Sequence, residues 1–147
     1  MFGVAGRRRR RRTTASARGT DAERVFVSFD YDYDKALKDF LIGQAKNPDS
    51  PFEIHDWSIK VASQDWKARA RARIRASDIV IVICGEHTDK AVGVAIELGI
   101  AQEEKIDYFL LNGYSGKTGK KPTTAKASDK VYKWTWENLK TLVGGGR

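Results

Sequence analysis

The chain has 147 residues, 41% of them hydrophobic, and a net charge of +8. That length suits one domain with its own core, and no apolar stretch is long enough to span a membrane. Residues 1–20 hold Arg7 to Arg12 and Arg18 with no Asp or Glu, which leaves the body at +1. A near-neutral body has no basic face to follow phosphates, which argues against a nucleic-acid-binding fold.

Residues 1–22, opening on MFGVAGRRRRRRTTASARGT, read as a disordered arginine-rich tail, because almost nothing in them can be buried. Counterion release would give such an arm weak affinity for nucleic acid or anionic lipid. No apolar run follows the arginines, so no secretory signal is expected. Residues 23–147 read as one domain. Cys84 is the only cysteine, which precludes an internal disulfide and suits a cytoplasmic protein.

RVFVSF, Arg24–Phe29, is β-rich and predicts the first strand. DKALKDFLIGQAKN follows as a helix with Leu37, Phe40, Leu41 and Gln44 on one face. FEIHDW, Phe52–Trp57, introduced by Pro51, predicts a second strand, and SIKVASQDW a loop in which Ser63 is placed to cap a helix. DWKARARARIRASD has a superficial strand alternation. Ala and Arg favour helix, however, and Trp66, Ala70 and Ile74 recur every four residues, so a helix with a basic outer face is expected. DIVIVICG, Asp78–Gly85, is the clearest strand, a β-branched run of the kind buried on both faces of a parallel sheet. A helix begun by Thr88 or Asp89 follows and carries Glu97. DYFLLNG, Asp107–Gly113, predicts a fourth strand and YSGKTGKKPTTAKASD a flexible connector. In the last helix Tyr132, Trp136, Leu139 and Val143 form a core-facing stripe, and GGGR ends it.

This alternation predicts an α/β, three-layer flavodoxin-like sandwich around a mostly parallel four- to five-stranded sheet, with the second strand outside the first. Sites in such sheets lie beyond the carboxyl ends of the strands. Here those ends read SFDYDYD, HDWSI, CGEHT and NGYSG. Several chemistries fail on spacing. YSGKTGKK has Leu111 where a phosphate loop needs its first Gly. DYDYD has Lys35 where a calcium loop needs Gly. His55, His87 and Cys84 do not have metal-ligand spacing, so no metal is expected. SFDYDYD has no Gly for a dinucleotide-type first turn.

Glu97 remains. Gly93, Val94, Ile100 and Ala101 lie three and four residues from it, and none carries a positive charge to support a carboxylate on a helix. Such a group either pairs with an Arg of the preceding helix, Arg69 or Arg73, or does chemistry.

RVFVSFDYDYD, FEIHDWSI, DWKARARARIRASDIVIVICGEHTDKAVGVAIELGIA and YKWTWENL together resemble the TIR-like family that includes the ThsB protein of the bacterial Thoeris anti-phage system. The resemblance runs from about Arg24 to Val143. It implies a TIR-type fold and cleavage of NAD⁺ at the nicotinamide–ribose bond, with NAD⁺ as substrate and no further cofactor. It also implies a cyclised ADP-ribose signal made on infection and read by a partner effector, ThsA. The family's catalytic Glu lies on the helix after the third strand, where this sequence has Glu97. On that reading Ser28 belongs to the substrate site and Phe29 stacks on nicotinamide or adenine. Asp30, Asp56 and Ser58 bind ribose hydroxyls, Trp57 lines the pocket, and Thr88 binds phosphate. Many TIR domains show a Ser–Trp–Cys-like stretch before this Glu, whereas here the residues are VGVAIE. The alternative is a non-catalytic module acting by self-association, with the arginine-rich helix as its interface.

Overall fold

A computed structural model describes residues 22–60 and 64–147. Residues 1–21 of the expected tail, and the Ser63 cap, lie outside the described residues. Among the described residues five strands form, β1 Glu23–Ser28, β2 Phe52–Trp57, β3 Ile79–Cys84, β4 Asp107–Asn112 and β5 Val131–Tyr132. They form one parallel sheet in the order β2-β1-β3-β4-β5. The helices are α1 Lys35–Ala45, α2 Trp66–Arg75, α3 Val92–Glu103 and α4 Trp136–Val143. This is the flavodoxin-like arrangement expected, with β2 outside β1. The winding changes sides after β2, so the connections leaving β1 and β3 diverge and the crevice lies between these two neighbouring strands.

β3 organises the core because all six of its residues, IVIVIC, are buried. Its odd positions Ile79, Ile81 and Ile83 join Val25, Val27, Phe29 and Leu111 under α1 and α4. Its even positions Val80, Val82 and Cys84 join Phe26 and Leu110 under Trp66, Ala70 and Ile74 of α2 and Leu98 and Ala101 of α3. Strand alternation thus splits one sequence run between two cores. Each Val, Leu, Ile or Phe among them contributes about 1.5–3 kcal/mol by leaving water.

Several details differ from the sequence reading, among them the start of α3, which is Val92 and not Thr88 or Asp89. Phe40 is 59% exposed and its ring packs on Trp134, while Lys38 is buried in its place. The Lys38 ammonium lies over the rings of Phe29 and Trp57, 5.6 and 5.1 Å from their centroids, and pairs with Asp39 at 2.7 Å, so its aliphatic stem does the apolar packing. Tyr132 belongs to β5 and not to the last helix. That helix starts later, at Trp136, with the Thr135 hydroxyl accepting from the Asn138 amide at 3.0 Å. The α2 arginines do not form a free basic face. Arg71 and Arg75 both bond to Glu104, Arg71 also reaches Glu103, and Arg73 bonds to Asp56. The Ala-Arg alternation thereby ties α2 to the end of α3 and to β2.

YSGKTGKK is not loose either. Asn112 accepts from the Gly119 amide at 2.8 Å and donates to the Lys117 carbonyl at 2.8 Å. Gly119 lies so close to the end of β3 that a Cβ there would stand 1.9 Å from the Cys84 carbonyl oxygen. Only glycine allows that approach. Among the described residues no helix is long and apolar enough to cross a membrane.

Candidate functional site

At the carboxyl end of the sheet a cleft of about 430 Å³ opens between the β1–α1 loop, the chain after β2, and the start of α3. Phe29 and Asp30 enter it from the end of β1, Ser58 from the end of β2, and Gly93 and Glu97 from α3. Tyr33 and His87 meet at its rim with ring centroids 3.9 Å apart. Lys60 and Lys90 also line it.

Glu97 sits on the wall and is 1% exposed. Neither of the two arginines foreseen as partners holds it. Arg69 pairs with Asp65. The guanidinium of Arg73 is bonded to Asp56 at 2.9 Å and to the Trp57 carbonyl at 2.7 Å, and acts on Glu97 only through space. Two neutral hydroxyls bond Glu97 instead. Ser28 Oγ donates to its Oε1 at 2.6 Å and Ser58 Oγ donates to the same oxygen at 2.5 Å. Burial pushes the carboxyl up to about 7, although the two serines and Arg73 pull the other way. An acid in that range changes charge near neutral pH, as functional carboxyls often do.

The elements explain why these groups meet. Ser28 follows Phe26 by two residues, so it points to the same face of β1, toward α3. Ser58 is the first residue past β2, and its backbone amide donates to the Val27 carbonyl at 2.9 Å. Its hydroxyl accepts from the Phe29 amide at 3.1 Å. α3 is apolar around most of its circumference and buries Val94, Leu98, Ile100 and Ala101 beside Glu97. Of the two small residues flanking Glu97, Gly93 opens onto the cleft, while Ala101 is packed in the core.

Of the substrate-site residues foreseen, Phe29, Asp30 and Ser58 gather with Glu97 in the cleft, and Ser28 reaches it through its hydrogen bond. Asp56, Trp57 and Thr88 do not line the cleft. The β1–β2 register slips between Val25 and Phe26, which pair with Ile54 and Asp56, so His55 is an extra residue in β2. Such a bulge swaps the faces of the residues after it. Asp56 consequently turns toward α2 and Arg73, and Trp57 turns to the α1 side, where Lys38 covers its ring. Thr88 is fully buried in a short 3₁₀ turn, Thr88–Lys90, ahead of α3. Its hydroxyl accepts from the Gly85 amide at 2.7 Å, which closes the turn after β3 and leaves that oxygen committed to the backbone. The sequence reading missed the cleft residues Tyr33, His87, Lys60 and Lys90. Only the proximity of DYDYD and CGEHT at neighbouring strand ends hinted at the first two.

Asp34 is a second carboxyl shifted by burial, pushed up to about 6, with the charge of Asp30 adding to the effect and His87 opposing it. Its Oδ2 is buried against Gly85. Among the described residues no group of three His, Cys, Asp or Glu is placed to hold a metal ion.

The family model described as Thoeris protein ThsB, TIR-like domain, matches residues 26–112. No curated protein was found to match the chain. The matched span runs from β1 to the end of β4, more than half of the chain, and takes in Ser28, Ser58, Glu97 and the cleft they share. The chain belongs to the TIR-like domain family of the Thoeris anti-phage protein ThsB.

Proposed function

We propose that this TIR-like domain of Thoeris defence cleaves NAD⁺ at the nicotinamide–ribose bond, with Glu97 as the catalytic residue, and releases an ADP-ribose product, cyclised as a signal. The observation that carries the reading is the carboxylate of Glu97. It is buried in the wall of an open cleft at the sheet's switch point and bonded by two neutral hydroxyls, with Arg73 acting on it only through space.

Breaking the bond between the ribose C1′ and nicotinamide sends the bonding pair to the leaving nitrogen. Nicotinamide departs neutral, and positive charge spreads over C1′ and the ring oxygen. A fixed carboxylate against that face lowers the barrier, as in glycoside hydrolysis. A poorly solvated site strengthens the attraction, because the same charges interact more strongly when water does not screen them. A nucleophile then takes C1′. Water gives ADP-ribose and a proton, and an adenine nitrogen or a hydroxyl of the same molecule gives a ring. Asp30 offers acceptors to sugar hydroxyls, whereas the Phe29 ring is packed in the core beneath Lys38 and has no free face for a base.

The product would act on the effector ThsA, which couples the two proteins by a diffusible nucleotide and needs no contact between them. The test uses purified protein, NAD⁺ and an extract of phage-infected cells as activator, with nicotinamide and ADP-ribose species followed by mass spectrometry. Glu97→Gln is expected to lower nicotinamide release at least about 100-fold, the scale on which removal of a charge-stabilising group acts. Full release by that variant would refute the assignment. Turnover-free self-association unaffected by Glu97→Gln would favour a non-catalytic module instead.

A further inference from the structure

We propose that Ser28 and Ser58 are positioning residues for Glu97: their hydroxyls fill Oε1, hold the carboxylate ionised and oriented against its burial, and leave Oε2 as the oxygen that meets the sugar. The proposal rests on the catalytic reading of Glu97 and changes the role first expected of the two serines, which was to bind substrate.

The geometry is specific. A carboxylate oxygen has two in-plane acceptor sites. Both hydroxyls converge on the one oxygen, at 2.6 and 2.5 Å, the short distances of hydrogen bonds to a charged acceptor. Ser28 and Ser58 are 0% and 3% exposed, so water does not compete for either bond. Ribose hydroxyls therefore have no free edge of Oε1 to approach. The serines come from two neighbouring strand ends and meet a group on a helix, so the sheet itself sets the carboxylate's orientation.

The two serines are not equivalent. Ser58 Oγ accepts from the Phe29 amide at 3.1 Å. That bond occupies an acceptor site of the hydroxyl and aims its single proton at Glu97, the nearer acceptor, with the Val27 carbonyl 3.5 Å away. Ser58 is thus held as a donor by the backbone, and Phe29–Ser58–Glu97 forms a directed chain of hydrogen bonds. Donors fixed before the reaction stabilise charge without reorganising. The charged groups facing this region from the packed elements are Arg73 on α2, Asp56 on β2, Asp30 and Asp32 after β1, Lys60 after β2, and His87 and Lys90 ahead of α3. The two hydroxyls bond Glu97 directly, and they are neutral at every pH of interest, so their effect on Glu97 does not titrate away.

The experiment has two readouts. The first is direct titration of the Glu97 side chain by carbon-13 NMR in the full chain without substrate, for wild type, Ser28→Ala, Ser58→Ala and Ser28→Thr. The second is the pH profile of kcat/KM for nicotinamide release from NAD⁺ with the same proteins. Each Ala variant is expected to raise the Glu97 midpoint by about one pH unit or more, the size expected on losing a hydrogen bond to a charged group. Ser58→Ala should shift it further than Ser28→Ala. The acidic limb of the rate profile should move with the midpoint, and Ser28→Thr, which keeps the hydroxyl on a residue suited to a strand, should restore both. An unmoved midpoint in both Ala variants, with kcat/KM lowered equally at all pH values, would overturn the proposal and return the serines to substrate binding. A midpoint that moves in a chain that never turns over NAD⁺ would sustain the positioning role and defeat the proposed activity alone.

Discussion

Glu97→Gln is expected to lower nicotinamide release at least about 100-fold and to stabilise the fold. The Glu97 carboxyl lies at about 7 in the folded chain against an ordinary value of 4.5. The folded state therefore holds this proton more tightly than the unfolded state. Below 4.5 both states are protonated and burial of the acid is unopposed. As the pH rises through the window from 4.5 to 7 the unfolded chain ionises first, so stability falls, and above 7 the loss is complete. The gap converts to about 3 kcal/mol at about pH 8 and about 1 kcal/mol at about pH 5, at 1.36 kcal/mol per unit. Gln has nearly the same shape, accepts from both serines and stays neutral, so the difference between variant and wild type should grow with pH by about 2 kcal/mol. In a domain of this size that is a rise of up to about 10 °C in Tm near pH 8, shrinking to a few degrees near pH 5. Thermal or urea unfolding at several pH values measures it. A variant no more stable than wild type near pH 8 would refute the claim that this carboxylate is held charged against its burial. Greater stability with lost activity is the signature of a group kept for function.

Other expectations follow from the same contacts. The rate profile of kcat/KM should fall on the acid side of about pH 7, since the ionised Glu97 is the active form; a profile flat down to about pH 5 would contradict it. Gly119→Ala should cost more than about 2 kcal/mol, because the added carbon would meet the Cys84 carbonyl oxygen and neither backbone can yield freely. Chemical denaturation checks this, and a neutral result would mean the 114–129 connector is looser than described. Glu104→Ala should lower stability by about 1 kcal/mol by dispersing the network with Arg71 and Arg75. The arginines hold this carboxyl below its ordinary range, so the effect is present above 4.5, fades as the pH falls through the lowered folded value, and is reduced by salt.

The sequence by itself determined the layers of this protein. The β-branched run IVIVIC can satisfy six buried positions only as a central parallel strand, and the four-residue recurrence of Trp66, Ala70 and Ile74 overrides the Ala-Arg alternation around it. Glu97 was also legible, since an acid without a local cation on an apolar helix must be explained. What the tertiary structure decided was which groups meet that acid. β5 was invisible because two residues carry no periodicity, and Phe40 misled because Lys38 can bury its stem where a helical stripe predicts an aromatic ring. Trp57 was misplaced because a one-residue bulge at His55 turns it to the α1 side, while Asp56, which the same bulge turns to the α2 side, is taken up by Arg73; nothing local to FEIHDW marks the bulge. The role of Ser28 and Ser58 depends on two strand ends and a helix 39 and 69 residues away in sequence. Hydrogen bonds between such distant positions are set by the packing of the sheet against α3, and no pattern along the chain encodes them.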